Sequence, residues 1–252
     1  MSGAHSHALH YHGHSPVHRA APQVKLVGLF LFVIAVVATP PEAVWAFSVY
    51  AAIVVSMVGV AEIPPRFFLI RLLIDVPFVL FALLLPFVGE GPRVDLGIFS
   101  LSASGLTGAW NILMKATLGT AASVLLAATT EVSEIVAGLQ KLRVPIVFTA
   151  IASFMIRYLD VIAGEMRRTR TAMTARGYDP SWIAQMRPLA TAAGALFIRS
   201  YERGERVHNA MLARGFVGEF PALRERPGEV FWWPAMAPVL LGWATMVVAR
   251  LI

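Results

Sequence analysis

An all-α membrane protein is what this sequence predicts: polytopic, with about five transmembrane helices and a basic, helical cytoplasmic domain. Three observations carry that reading. Only 14% of the 252 residues are charged, against about 25% in soluble domains. Hydrophobic residues make up 57% of the chain, and mean hydropathy is +0.67. The apolar residues come in unbroken runs: Leu26 to Ala38 is continuously apolar or small, and so is Ala235 to Ala249 apart from Thr245. A membrane β-barrel needs alternating apolar and polar positions. A barrel, an ordinary soluble enzyme, a disordered chain and a coiled coil are therefore excluded.

The elements follow in order. Residues 1–25 read as a polar tail carrying His5, His7, His10, His12, His14 and His18, with no hydrophobic period and no secretory leader pattern. The membrane domain is expected over 26–130. Its first run, Leu26 to Thr39, is short for a span and stops at Pro40-Pro41-Glu42. The second, Ala43 to Ala61, stops at Glu62 and Pro64-Pro65-Arg66, so the two read as a membrane hairpin. The third, Phe67 to Val88, holds Arg71 and Asp75. Their spacing of four puts them on one helical face, where a pair lowers the cost of each in lipid. After the break at Gly89-Glu90-Gly91-Pro92-Arg93, Ile98 to Thr107 is rich in Ser and Gly and reads as a loop or interfacial segment. Trp110 to Thr129 is the next span, with Lys115 near its start. Glu131 to Arg143 is amphipathic, with Ile135, Leu139 and Leu142 on one face, and Pro145 ends it.

Composition then changes. Residues 157–226 hold 12 of the 21 basic residues, all arginine, interleaved with acids such as Glu165, Glu202 and Glu205. No 20-residue stretch there suits lipid. The segment 131–227 is expected on the cytoplasmic side, where basic residues concentrate, which also accounts for the net charge of +6. Ile146 to Met155 either dips into the membrane, as a sixth span, or lies along its surface. The C-terminal segment 228–252 is a last span, with Trp232 and Trp233 as interface anchors.

Several chemistries are closed to this chain. It has no cysteine, so thiol catalysis, disulfides and thiolate metal sites are out. No Gly-x-x-x-x-Gly-Lys-Ser/Thr loop and no His-Glu-x-x-His motif occurs, so it neither hydrolyses ATP by such a loop nor builds that zinc site. Its arginine clusters lack interleaved aromatics, which argues against nucleic acid.

Inside the basic domain lies a short repeat. Arg168 to Tyr178 matches Arg206 to Phe216 at an offset of 38, sharing Arg, Ala, Met, Ala, Arg and Gly and ending on an aromatic. Ala172, Ala175 and Arg176 fall at i, i+3 and i+4, a narrow face small enough for a partner to approach its backbone. Gly177 suits a left-handed helix stop, and the arginine before it sits where a cation favours the helix dipole. Ala213, Arg214 and Gly215 repeat the construction. A single Arg-Gly end reads as a cap and nothing more. Two copies with a shared upstream Arg and Ala-Met suit docking to two copies of one partner.

These two Ala-Arg-Gly ends, in a basic helical domain of a small multi-span protein, resemble the transmembrane (T) component of energy-coupling factor (ECF) transporters. Pro77 to Phe87 and Leu139 to Pro145 resemble its cobalt-type branch, the CbiQ family. The resemblance covers most of the chain and is most specific over Glu165 to Tyr178 and Ala210 to Phe216. It implies that 131–227 is a coupling domain. Ala175, Arg176 and Gly177 would then dock in a groove of one ABC-type ATPase subunit, and Ala213, Arg214 and Gly215 in that of a second. It further implies a separate substrate-binding S component held by the membrane helices. ATP would be bound by the partner subunits and no cofactor by this chain. The expected role is a non-catalytic permease subunit of the bacterial cytoplasmic membrane, importing cobalt, with a general scaffold for nickel or vitamin-type substrates as the alternative.

Other signals carry two readings. His5, His7, His10, His12 and His14 suit Co²⁺ or Ni²⁺ as imidazoles, or form a flexible polar tail. His208 reads as a helix-surface residue. Arg71 with Asp75 reads as a structural pair, or as a functional one. An intramembrane enzyme built on Asp75 would need polar groups converging at one depth of several spans, and the sequence offers few.

Overall fold

A computed structural model describes residues 13, 15–88, 93–96, 99–179, 182–216 and 233–251. It is helical, with one short antiparallel ribbon. The helices are α1 (Pro16–Arg19), α2 (Pro22–Ala38), α3 (Val44–Val60), α4 (Pro65–Leu72), α5 (Val76–Val88), α6 (Ala103–Thr129), α7 (Val132–Lys141), α8 (Ile146–Ala175), α9 (Arg187–Leu212) and α10 (Trp233–Leu251). The ribbon pairs β1 (Arg93–Leu96) with β2 (Phe99–Ser102), Arg93 opposite Ser102. Two compact units divide between Gly138 and Leu139, with α10 belonging to the first.

The first unit is a bundle in which α2 packs on α6 and α10, α3 on α6 and α10, and α5 on α6. Its centre is aromatic. Tyr50 is fully buried, and its hydroxyl lies 2.8 Å from Thr39 Oγ1 and donates to the Gly242 carbonyl at 3.2 Å. Phe32 meets the same ring edge-on at 5.8 Å. A buried tyrosine is stable when its hydroxyl is satisfied, and here three elements converge to do so. Gly105 fixes the α5–α6 contact: a Cβ there would lie 2.5 Å from the Leu85 carbonyl oxygen.

Cations close the carbonyl ends of helices. The buried Lys25 ammonium donates to the carbonyls of His18 (3.2 Å) and Thr129 (2.9 Å) and to Thr130 Oγ1 (3.2 Å). That joins α1, the start of α2 and the end of α6. At the other end of α2, Lys115 donates to Val37 O and Arg250 to Ala38 O. Last-turn carbonyls have no partner within their own helix, and positive charge suits the dipole there.

The outer surface is apolar. Leu69, Ile70, Leu73, Ile74, Phe78 and Phe81 are all more than half exposed. Contiguous apolar surface on this scale marks a buried environment outside the protein. Among the described residues, three helices are long and apolar enough to cross a membrane: Pro65–Phe87, Ser104–Thr129 and Ile146–Ala175. Shorter apolar helices occupy Pro22–Ala38, Val44–Val60 and Met236–Leu251.

Several details depart from the sequence reading. Ordered helix begins inside the expected tail: α1 is capped by Ser15, and α2 starts at Pro22. Proline at a first helical position loses no hydrogen bond. The segment Ile98 to Thr107 ends the ribbon and opens α6, because Ser102 Oγ caps the Gly105 amide at 3.2 Å. Ile146 onward is one continuous helix of 30 residues. On α7 the buried positions are Val136 and Gly138, while Leu142 is exposed. Gly138 lies close against Pro22 and Gln23: a Cβ there would sit 3.1 Å from the Gln23 nitrogen and the Pro22 carbonyl carbon, a tight fit that asks the neighbours to give. Asp75 does not pair with Arg71. A 3₁₀ turn at Leu73–Asp75 separates α4 from α5, and its tighter winding removes the shared face that a spacing of four gives in an α-helix. The Asp75 carboxylate instead accepts from Thr117 Oγ1 (2.7 Å) and Thr120 Oγ1 (3.4 Å) of α6, and the Arg71 guanidinium lies over the Phe67 ring.

Candidate functional site

The second unit is a hairpin of α8 and α9. Both helices end alike. At the end of α8 the Gly177 amide donates to Thr174 O (2.9 Å) and the Tyr178 amide to Met173 O (3.1 Å). At the end of α9 the Gly215 amide donates to Leu212 O (3.0 Å) and the Phe216 amide to Met211 O (3.0 Å). Each is the paired six-to-one and five-to-two closure that needs a left-handed residue, and φ is +82° at Gly177 and +79° at Gly215. The closure also explains the repeat's methionine and aromatic. They stand at the two positions that such a stop commonly brings into hydrophobic contact. The Tyr178 hydroxyl continues the turn by donating to Gln185 O at 2.7 Å.

The remaining repeat residues point outward. Ala172, Ala175, Arg176, Ala210, Ala213 and Arg214 are all exposed. Neither arginine side chain takes a hydrogen bond or ion pair among the described residues. Each helix therefore presents a small-residue face ending in an unspent guanidinium, with five donors in a planar fork.

The two ends are not brought together. Where the helices meet, Glu165 of α8 forms a short ion pair with Arg203 of α9. Arg176 follows Glu165 by eleven residues and Arg214 follows Arg203 by eleven, about 16 Å along each helix. The helices run in opposing senses, with Phe154, Tyr158 and Ile162 of α8 lining the same cleft as Arg203, Val207 and Met211 of α9. The arginines thus lie on opposite sides of the pair. Sequence reasoning passed over Glu165 and Arg203. Their signal was opposite charge at the offset of the repeat itself, 38.

The weaker metal candidates His5, His7, His10, His12 and His14 lie outside the described residues. His18 is buried, its Nδ1 2.8 Å from Ser15 Oγ. His208 lines the α8–α9 cleft. Among the described residues no three His, Asp or Glu side chains gather closely enough to hold a metal ion.

Known proteins are similar to this chain over most of its length. The family described as cobalt transport protein, CbiQ, matches residues 13–223. Cobalt transport protein CbiQ of Rhodobacter capsulatus is 28% identical over 218 residues, covering 86% of this chain and 84% of that protein. Energy-coupling factor transporter transmembrane protein EcfT of Bacillus subtilis is 28% identical over 220 residues, covering 82% of each. A fused cobalt transport protein, CbiMQ, of Methanocorpusculum labreanum is 27% identical over 240 residues; the match takes in 90% of this chain and 39% of that longer protein.

Proposed function

The chain belongs to the CbiQ cobalt transport protein family, and from that premise we propose that this multi-pass membrane protein is the energy-coupling T component of an ECF-type ABC importer for cobalt ions in a cytoplasmic membrane. Arg176 docks on one ABC-type ATPase subunit and Arg214 on a second. The membrane helices hold a substrate-binding S component, which carries the ion. ATP is bound and hydrolysed by the two partners, and this chain supplies no catalytic group.

One observation carries the reading: two exposed, side-chain-unpartnered arginines, each at a helix end closed by the same glycine stop, related by a repeat and held on opposite sides of one ion pair. Two equivalent ends suit two equivalent partners. ATP-driven approach of those partners would draw Arg176 and Arg214 toward each other, and the Glu165–Arg203 crossing would turn that motion into a change of angle between α8 and α9. A general scaffold for nickel or vitamin-type substrates is the second reading, since the EcfT relative is as similar as the CbiQ one.

The test is co-purification. The chain is expressed with its ATPases and S component, then isolated from detergent as wild type and as Arg176→Ala with Arg214→Ala. The double variant is expected to lose the ATPases and transport while keeping the S component. Retention of both ATPases and of uptake would overturn the docking role.

A further inference from the structure

The α8–α9 hairpin borders an open cleft of about 290 Å³ lined by both apolar and polar side chains. Phe154, Met155 and Ile162 of α8 and Val207 of α9 are its apolar lining. Arg203 and His208, with Tyr158 and Ser200, are its polar lining. Arg203 spends Nη2 on Glu165, and its Nη1, shielded from solvent, meets no acceptor among the described residues. A buried guanidinium nitrogen without an acceptor is costly, so a turn of the Arg203 guanidinium that brings Nη1 to an acceptor in the cleft would be favoured.

Two further facts limit what arrives. The cleft lies where α8 changes character: residues 146–156 carry no charge, and Arg157 and Asp160 are the first charges after them. That is the level of a bilayer interface, on a helix long and apolar enough to cross. The hairpin is also strongly basic, with ten arginines against five carboxylates over 157–216 and no lysine. Basic pockets between helices on the cytoplasmic side of a membrane suit anionic lipid head groups.

The geometry points to an anionic phospholipid in this cleft, its phosphate on Arg203 with His208 beside it and one acyl chain along Phe154, Met155, Ile162 and Val207. A lipid there would wedge the two helices at their crossing and fill the space that any change of their angle must open or close. Only the membrane setting is needed, and ATPase docking is not.

The test is native mass spectrometry of the full chain in detergent, offered phosphatidylglycerol, phosphatidylcholine and inorganic phosphate in turn. One phosphatidylglycerol is expected to stay bound, roughly five- to tenfold in preference to phosphatidylcholine, on the scale of one or two basic contacts. Gly204→Leu should abolish retention. A Cβ on Gly204 meets nothing within 4 Å, so that variant fills the cleft while sparing Glu165 and Arg203, even if Arg203→Met fails to fold. The Arg176→Ala, Arg214→Ala double variant should keep the lipid, which separates this inference from the docking reading. Equal retention of both lipids, or undiminished retention by Gly204→Leu, would overturn it. Displacement by inorganic phosphate would show a free-anion site instead. Loss of the S component from Gly204→Leu with lipid binding intact would assign the cleft to a protein partner.

Discussion

Glu165 and Arg203 pair across the hairpin at the separation, 38 residues, that relates the two Ala-Arg-Gly ends to each other. The ion pair therefore joins positions that are equivalent under the repeat's offset. The arrangement places both arginine ends at equal reach from a single contact.

That contact should be the hairpin's main polar fastening. Both side chains are partly buried, 29% exposed for Arg203 and 16% for Glu165. Glu165→Gln or Arg203→Met is expected to cost about 1.5–3 kcal/mol, the range for hydrogen bonds to charged groups. Thermal melting in detergent reads this directly. Reversal of the pair, Glu165→Arg with Arg203→Glu, should recover at least half. Single variants that melt like wild type would reduce the pair to surface decoration.

Lys25 predicts a different loss. Its ammonium donates to His18 O, Thr129 O and Thr130 Oγ1 in a buried site. Lys25→Met keeps the length of the side chain and removes every donor, stranding the carbonyls of His18 and Thr129. One such stranded group costs about 1–3 kcal/mol, and a cation at the end of α6 is lost as well. The melting temperature should fall clearly, more than for a surface Lys141→Met made for comparison.

Asp75 invites a test of sign. Removing a buried charge and removing its partners are not equivalent operations. Asp75→Leu removes the carboxylate, and the freed Thr117 and Thr120 hydroxyls can turn to carbonyls of their own helix. Thr117→Val with Thr120→Val leaves the carboxylate buried with its donors gone. Stranded charge is the costlier outcome. The threonine double variant should therefore melt lower than Asp75→Leu. The reverse order would mean that Asp75 matters for a reason beyond these two bonds.

Much of this was legible in the sequence, for identifiable reasons. Long apolar runs report burial in lipid without knowledge of partners, so the membrane helices could be read from Leu26 onward. Arg-Gly stops report a local backbone conformation, and both appear at Gly177 and Gly215 as read. What escaped depends on contacts distant in the chain. The Asp75 partners lie 42 and 45 residues away, and helical spacing alone favoured Arg71. The 3₁₀ turn that separates them leaves no mark in an apolar stretch. Lys25 closes α6 from 104 residues away, so the sequence left it at the edge of a polar tail. The Glu165–Arg203 pair was visible in principle, once the repeat offset is extended upstream of the matching residues.

Cap and dock can be told apart at the two arginine ends, because the glycine and the arginine do separate work. Gly177 and Gly215 hold left-handed backbone in open space, with nothing within 4 Å of a Cβ. Gly→Ala there should cost about 1–2 kcal/mol per site through backbone conformation alone. Arg176→Ala and Arg214→Ala leave that closure intact, since it is made by main-chain bonds, and each should cost less than about 1 kcal/mol of stability. Docking reverses the ranking. An arginine desolvated against acidic groups or carbonyls of an ATPase is worth on the order of 2–5 kcal/mol when truncated, up to roughly a thousandfold or more in affinity. Either single variant should keep partial assembly, because the other end still tethers the complex and raises local concentration, while the double variant should lose it. Lysine should replace arginine poorly, having the charge without the planar fork. The decisive pattern is a crossing of two readouts: glycine variants that lower the melting temperature more than the arginine variants do, and arginine variants that lower ATPase retention more than the glycine variants do. If melting and retention fall together in the same order across all four sites, the arginines serve as caps and the docking assignment fails.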